Sequence, residues 1–369
     1  MPKVVILSVS AGAGHMRAAE ALRLAAVARG WEAVHLDVME LVPRLFRKLY
    51  TDTYLSIIER HPALWGYLYH ASDRGSRDSR TNRIRRAIEA LNTRAFRKKI
   101  AELQPDRVIC THFLPAQLLS KMNAKGDFTK PTWVVVTDFD VHMLWSHPHL
   151  TGYCVAADEI AWRIREREIG QAQVAVTGIP IMPVFGMKLD RATCASELDL
   201  DPKRTTLLMM SGGFGVGAID QLAERVLGIA GDFQLVAMAG KNADLLARLQ
   251  KLAVKHPGRL MPLGFTSTIE RVMACADVAI TKPGGLTTSE CLAVGLPMLV
   301  VSPIPGQEER NADYLLERGA ALKAHDAAGL EYRLRRMLDE PHLLSGMRAA
   351  LRTIGRADAA DRVLDQALA

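Results

Sequence analysis

Cysteine is scarce in this chain of 369 residues. The five present (Cys110, Cys154, Cys194, Cys275, Cys291) are scattered, odd in number and never spaced as CxxC. That pattern argues against a disulfide framework or a zinc–thiolate site and implies buried thiols in a reducing compartment. Long apolar runs are missing as well. None approaches the ~18 residues that a membrane span needs, and Val4–Leu7 is too short to be the core of a signal peptide. Two nucleotide signatures are incomplete: the loop after the first apolar run lacks the third glycine of GxGxxG, and no Gly-Lys-Ser/Thr follows it. A dinucleotide fingerprint and a P-loop are both excluded there. What remains is 49% hydrophobic and 24% charged, a globular composition in a chain too long for one core, so two domains are expected.

Charge is concentrated in one segment. Residues 44–99 hold fourteen basic and five acidic side chains, a surplus of nine, whereas the whole chain carries +7. The rest is therefore slightly negative. A focus of this kind calls for an anionic partner: lipid headgroups, nucleic acid or a phosphorylated ligand.

Short apolar runs alternate with helical stretches. In the first half the runs are Val4–Val9, Ala33–Leu36, Arg107–Cys110, Trp133–Val136, Tyr153–Ala156 and Val174–Thr177, with a helix over Arg17–Arg29 and a long helical region over about 39–103. In the second half they are Thr206–Met210, Gln234–Ala239, Leu260–Pro262, Val278–Ile280 and Met298–Val301. Apolar runs of strand length, each followed by a helix, predict parallel sheets covered on both faces. The fold class is therefore α/β, with two doubly wound domains joined near Gly178–Pro183.

Three loops carry the chemistry. Ser8-Val9-Ser10-Ala11-Gly12-Ala13-Gly14-His15 joins the first strand to the first helix, so His15 is placed at the carboxyl end of a strand, where open α/β sheets hold ligands. Ser211-Gly212-Gly213-Phe214-Gly215-Val216-Gly217 has the same layout at the start of the second domain, and its small residues admit backbone amides to an anion. Two such loops suggest a ligand held in a cleft between the domains. The third segment runs Thr281-Lys282-Pro283-Gly284-Gly285-Leu286-Thr287-Thr288-Ser289-Glu290 and resumes at Pro305-Gly306-Gln307-Glu308. Its Pro-Gly-Gly turn exposes amides at a helix start, Glu290 can accept two ribose hydroxyls, and Gln307 with Glu308 suits sugar hydroxyls.

These loops, together with Gly264-Phe265 and Asn311, resemble the monogalactosyldiacylglycerol synthase and processive diacylglycerol glucosyltransferase family, relatives of the MurG-type glycosyltransferases. Val136-Thr137-Asp138-Phe139, His142 and Trp145 resemble the family's acceptor-side segment. The resemblance implies a GT-B fold: an acceptor and membrane domain over 1–180, a UDP-sugar domain over 181–350 facing it across a cleft, and a helix in 351–369 that crosses back to the first domain. It places uracil at the backbone near Phe265 and the ribose diol at Glu290. The diphosphate falls to Gly213, Phe214, Gly284, Gly285, Leu286 and Thr287, and the sugar to Gln307, Glu308 and Asn311. Gly14, His15, Asp138, His142 and Trp145 fall to the acceptor.

The implied reaction is attack by an acceptor hydroxyl on the anomeric carbon of UDP-glucose or UDP-galactose, with UDP leaving and inversion at that carbon. A base is required, and either His15 or Asp138 fills the role, Asp138 otherwise orienting His15. Amides and helix ends stabilise the departing diphosphate, so no metal and no cofactor beyond the sugar nucleotide is expected. The basic segment then reads as a contact with an anionic membrane: Arg44, Arg47 and Lys48 alternate with Leu45, Phe46, Leu49 and Tyr50, and Trp65 and Tyr69 add interfacial aromatics. No nucleic-acid motif accompanies the charge. The expectation is a peripheral enzyme on the cytoplasmic face of the cell membrane acting on diacylglycerol. The alternatives are a polyprenyl-linked or soluble acceptor, or a non-catalytic nucleotide-sugar-binding partner.

Overall fold

The computed structural model describes residues 1–10, 12–42, 66, 94–167, 169–210 and 219–368. They form two compact units: Met1–Pro183 with Pro305–Gln307 and Asp358–Ala369, and Val184–Ile304 with Glu308–Ala357.

The first unit contains a six-stranded parallel sheet in the order β2-β1-β3-β4-β5-β6, with β1 Lys3–Ser8, β2 Glu32–Asp37, β3 Arg107–Cys110, β4 Thr132–Val135, β5 Gly152–Val155 and β6 Gln173–Val176. Every residue of β4 and β5 is buried, which is why these runs carry apolar side chains on both faces. Gly152 is required for that packing. A β-carbon there would lie 2.5 Å from the Trp133 ring, so the indole fills the space that any side chain would need. From β1 the chain runs outward to β2 and then returns to the other side of β1 as β3. The order therefore reverses between β1 and β3, and the carboxyl ends of these strands are where open sheets of this kind hold ligands.

The second unit repeats the plan in the order β12-β11-β10-β7-β8-β9, with β7 Thr205–Met210, β8 Phe233–Gly240, β9 Leu260–Gly264, β10 Val278–Thr281, β11 Met298–Val301 and β12 Ala321–Ala324. Its reversal falls between β7 and β10. The core joins Leu207, Met209, Val278, Ile280 and Leu299 of the sheet to Ala223, Leu249, Leu334 and Met347 of the covering helices. Strand β12 was not expected from the sequence. Ala-Leu-Lys-Ala has no β-branched residue, and this edge strand is held by its pairing to β11.

The chain re-enters the first unit at Asp358, not at 351. Residues Pro341–Ile354 form a helix of the second unit, ending at Gly355, where a β-carbon would lie 2.5 Å from the Leu292 carbonyl oxygen. Only Ala359–Leu368 returns. Its Ala360, Val363, Leu364 and Ala367 have helical spacing and pack with Ala19, Leu22, Ala25 and Ala26 of the helix Ala13–Ala28. Arg29 closes the contact with bonds to Asp361 (2.8 Å) and Asp365 (2.6 Å). The first boundary lies at Pro183/Val184, three residues beyond the expected 180. Of the long helical region expected over 39–103, residues 94–103 are helical and most of the remainder lies outside the described residues. All five cysteines are buried.

Candidate active site

In the first unit three strand ends converge on His15. The ring stands in the first turn of the helix that follows β1, and its Nδ1 lies 2.9 Å from the carbonyl oxygen of Thr111, after β3, and 3.0 Å from Thr137 Oγ1, after β4. A carbonyl only accepts, so Nδ1 carries the proton and Nε2 keeps its lone pair. Thr111 also donates its hydroxyl to the His15 carbonyl at 2.9 Å, fixing backbone and ring together. Burial pushes the His15 imidazole down to about 4, opposed in part by the Thr111 bond. The ring is therefore neutral near pH 7, with an unprotonated nitrogen.

A second histidine stands against the first. His112 caps the helix Phe113–Ala124, accepting the Leu114 N–H on Nδ1 at 3.0 Å, so its own proton is on Nε2. The two imidazoles meet edge to face with centroids 4.6 Å apart. Burial, and then the neighbouring His15, holds His112 well below the ordinary histidine range. Trp145 lies 6.2 Å from His15 and 6.3 Å from His112, and Phe113 closes the cluster at 5.9 Å from the indole.

Trp145 and His142 are both 4% exposed. Trp145 is an inner wall of the histidine pair, and His142 caps the turn Met143–Trp145 by accepting the Leu144 N–H on Nδ1. The place of an orienting carboxylate at His15 Nδ1 is taken by Thr111 and Thr137, not Asp138, which is half-buried in the otherwise buried loop after β4. Asp138-Phe139-Asp140 has the spacing of a metal-binding pair, yet Asp140 is buried 3.7 Å from Arg163. Among the described residues no group of three or more His, Cys, Asp or Glu could hold a metal ion. Arg167 pins the same loop through the Val141 carbonyl (2.7 Å) and Ser146 Oγ (3.1 Å). Thr111 and His112 were missed from the sequence, although Thr111-His112 directly follows a strand in the way that drew attention to His15; Thr137 was noted only as part of the acceptor-side segment, without its role at His15.

In the second unit the helix Gly285–Val294 starts at the carboxyl end of β10, beside the sheet's reversal point. Gly284 caps it with no side-chain bond, and Leu286, Thr288 and Glu290 are buried while Thr287 is half-buried. The helix Gln307–Glu317 abuts this turn. Glu308 accepts the Ile304 N–H at 2.7 Å with one carboxylate oxygen, and the other lies 3.7 Å from where a Gly284 β-carbon would stand. Asn311, expected to face the sugar, is wholly buried and donates through Nδ2 to the Pro283 carbonyl at 2.9 Å. It shapes the Pro-Gly-Gly turn from behind, because a buried amide takes its partner from the nearest backbone. Phe265, after β9, is 64% exposed, with Lys241 Nζ 5.1 Å over its ring. Gly213 and Phe214, and Arg44, Arg47, Lys48, Trp65 and Tyr69, lie outside the described residues. Among the described residues no helix is long and apolar enough to cross a membrane.

Solved structures share this architecture. MurG from Acinetobacter baumannii aligns over 100% of this chain and 99% of its own, with TM-score 0.68 and 16% identity. The UDP co-structure of MnaA from S. aureus aligns over 99% and 96%, with TM-score 0.66 and 14% identity. Two Rossmann-like units of this kind define a GT-B protein. The family model for monogalactosyldiacylglycerol (MGDG) synthase matches residues 15–181, and that for the glycosyltransferase family 28 C-terminal domain matches 208–363. A processive diacylglycerol beta-glucosyltransferase of Bacillus licheniformis is 30% identical over 71% of this chain and 68% of its own length. The enzyme of that name from Bacillus pumilus is 28% identical over 98% and 94%. The chain belongs to the monogalactosyldiacylglycerol synthase and processive diacylglycerol glucosyltransferase family, and is a glycosyltransferase.

Proposed function

We propose that the protein transfers glucose from UDP-glucose to the free hydroxyl of diacylglycerol with inversion, as a peripheral enzyme on the cytoplasmic face of the membrane. The observation that carries the chemistry is the His15–Thr111 bond, which leaves Nε2 as an acceptor. As the acceptor oxygen bonds to the anomeric carbon, its proton passes to Nε2 and the bond from that carbon to the β-phosphate oxygen breaks. UDP departs with the electron pair, and an α-linked donor yields a β-glycoside. A base near 4 takes the proton only late, once bond formation has made the hydroxyl acidic.

The amides opening the helix Gly285–Val294, with the loop 212–217, are aimed in this reading at the charge developing on the diphosphate, and no metal is assigned to that task. Glu290 takes the ribose diol, the backbone at Phe265 the uracil, and Gln307 with Glu308 the glucose. Glucose is favoured over galactose, and diacylglycerol over other acceptors, because the relatives are named diacylglycerol beta-glucosyltransferases. The surplus of nine positive charges in residues 44–99 supports an anionic membrane surface as the docking partner. The test is a panel of UDP-sugars supplied to diacylglycerol vesicles with and without anionic lipid, the product identified by mass. The expected result is a glucosyl-diacylglycerol formed fastest on anionic vesicles. UDP release that ignores diacylglycerol overturns the proposal.

A further inference from the structure

The end of β1 holds a second histidine contact that the reaction leaves unused. Ser8 Oγ, wholly buried, lies 2.7 Å from His35 Nε2 on β2 and 3.0 Å from Met16 Sδ, next to His15 in the first turn of its helix. His35 Nδ1 lies 3.9 Å from Glu20 Oε2, one turn beyond Met16. Glu20 is held in turn by Arg23 at 2.8 and 2.7 Å. A hydroxyl has one proton and cannot donate to both His35 and Met16. A carboxylate facing Nδ1 keeps a proton on that nitrogen. Two states follow. With a neutral ring, Nε2 bears a lone pair and Ser8 donates to it. With a charged ring, Nε2–H donates to Ser8 Oγ, and the hydroxyl proton turns to the Met16 sulfur.

We propose that His35 is a positioning residue for His15: a proton gained by its ring moves the Ser8 hydroxyl from His35 to Met16 and ties the start of the His15 helix to the end of β1. The inference rests on the reading of His15 as the base. The charged groups facing His35 are Glu20 and Arg23 of that helix, Asp37 of its own strand and Glu40 of the turn Val38–Leu41. The three carboxylates favour the charged ring; burial, the largest influence, and Arg23 oppose it, so the ring titrates below 6.5. The tie therefore closes on acidification, while His15 stays neutral down to about pH 4.

Methionine-methyl carbon labelling tests this directly in the full chain, with the Met16 resonance assigned by Met16→Leu. Met16 is expected to shift with pH at the midpoint of the His35 ring signal, below 6.5. Ser8→Ala is expected to keep the His35 titration and abolish that of Met16, and His35→Gln to abolish both. The wild-type kcat/KM profile carries an inflection at the same midpoint, which Ser8→Ala lacks. A Met16 titration that survives in Ser8→Ala overturns the relay. Identical kcat/KM profiles for wild type and Ser8→Ala overturn the link to His15. Full turnover by His15→Ala removes the base assignment and with it the positioning role, while leaving the Met16 titration intact.

Discussion

Thr111 holds His15 from both ends: its carbonyl oxygen lies 2.9 Å from the ring Nδ1, and its hydroxyl donates to the His15 carbonyl at the same distance. The two residues are 96 positions apart and meet because β1 and β3 are neighbours on either side of the sheet's reversal point. One tautomer is thereby selected, and the nitrogen that could take a proton is the one not spent on the backbone.

Removing that nitrogen should abolish chemistry without unfolding the protein. His15→Ala is expected to lower kcat by about 10²–10⁴, the usual contribution of a positioned general base. Affinity for UDP should stay within twofold, because the nucleotide is assigned to the other unit. Steady-state UDP release with diacylglycerol vesicles and a UDP titration check the two halves separately. Near-wild-type turnover would take His15 out of the mechanism.

Thr137 shares the Nδ1 proton with the Thr111 carbonyl at 3.0 Å. Thr137→Val keeps the shape and deletes the hydroxyl. The expected cost is about tenfold in kcat, or about 1.4 kcal/mol of barrier, with KM unchanged. Thr137→Ser should restore the rate, and a serine variant as slow as the valine one would show that the methyl group matters and the hydroxyl does not.

The lowered histidines make stability depend on acid with a definite sign. His15 falls to about 4 in the fold, and burial also lowers His112 and His35. The unfolded chain binds protons near 6.5, where the fold does not, so stability is complete above that pH and drains away as pH falls from about 6.5 towards 4. His15 alone accounts for up to about 3 kcal/mol of this loss. Urea midpoints measured from pH 7.5 to 4 should fall steadily, and His112→Gln should flatten the slope. A midpoint constant to pH 4.5 would contradict the neutral state of these rings.

Much of this was legible in the sequence, and what was not has a physical cause. The strands β3 and β11 have the bounds read from their apolar runs because a doubly covered strand must be apolar throughout. The place of His15 at a strand end was equally plain. Its partners were not, since Thr111 and Thr137 become neighbours only through strand order. The resemblance gives Trp145 and His142 to the acceptor side, but not their burial against His15 and under the Met143–Trp145 turn, because an aromatic beside polar residues looks the same in sequence whether it lines a surface or a wall. Asn311 is given to the sugar by the resemblance alone; its burial and the bond committing its Nδ2 to the Pro283 carbonyl depend on how the two helices pack and are not written in the local sequence.

That commitment is testable. Asn311→Asp preserves volume but replaces the Nδ2 donor by an oxygen facing the Pro283 carbonyl, a buried mismatch costing about 1–3 kcal/mol. The turn that opens the helix Gly285–Val294 should relax, weakening UDP binding about tenfold, or about 1.4 kcal/mol. Calorimetric titration with UDP checks this, and thermal unfolding reports the stability loss. Unaltered UDP affinity would make Asn311 a purely structural residue.

The C-terminal helix sets two forces side by side. Leu364 is wholly buried in the cluster that includes Leu22 and Ala26, whereas Asp361 and Asp365 have more than half of their side chains exposed where they pair with Arg29. Burial of a leucine outweighs exposed ion pairs: Leu364→Ala should destabilise the protein by about 2–5 kcal/mol, and Asp361→Asn with Asp365→Asn together by about 1 kcal/mol or less. Since this helix packs on the helix whose first turn holds His15, the leucine variant should also lose kcat at temperatures where it remains folded, and the aspartate pair should not. Guanidinium unfolding and turnover measured on the same samples separate the two. An equal loss from both variants would mean that the ion pairs, rather than the apolar face, dock the helix.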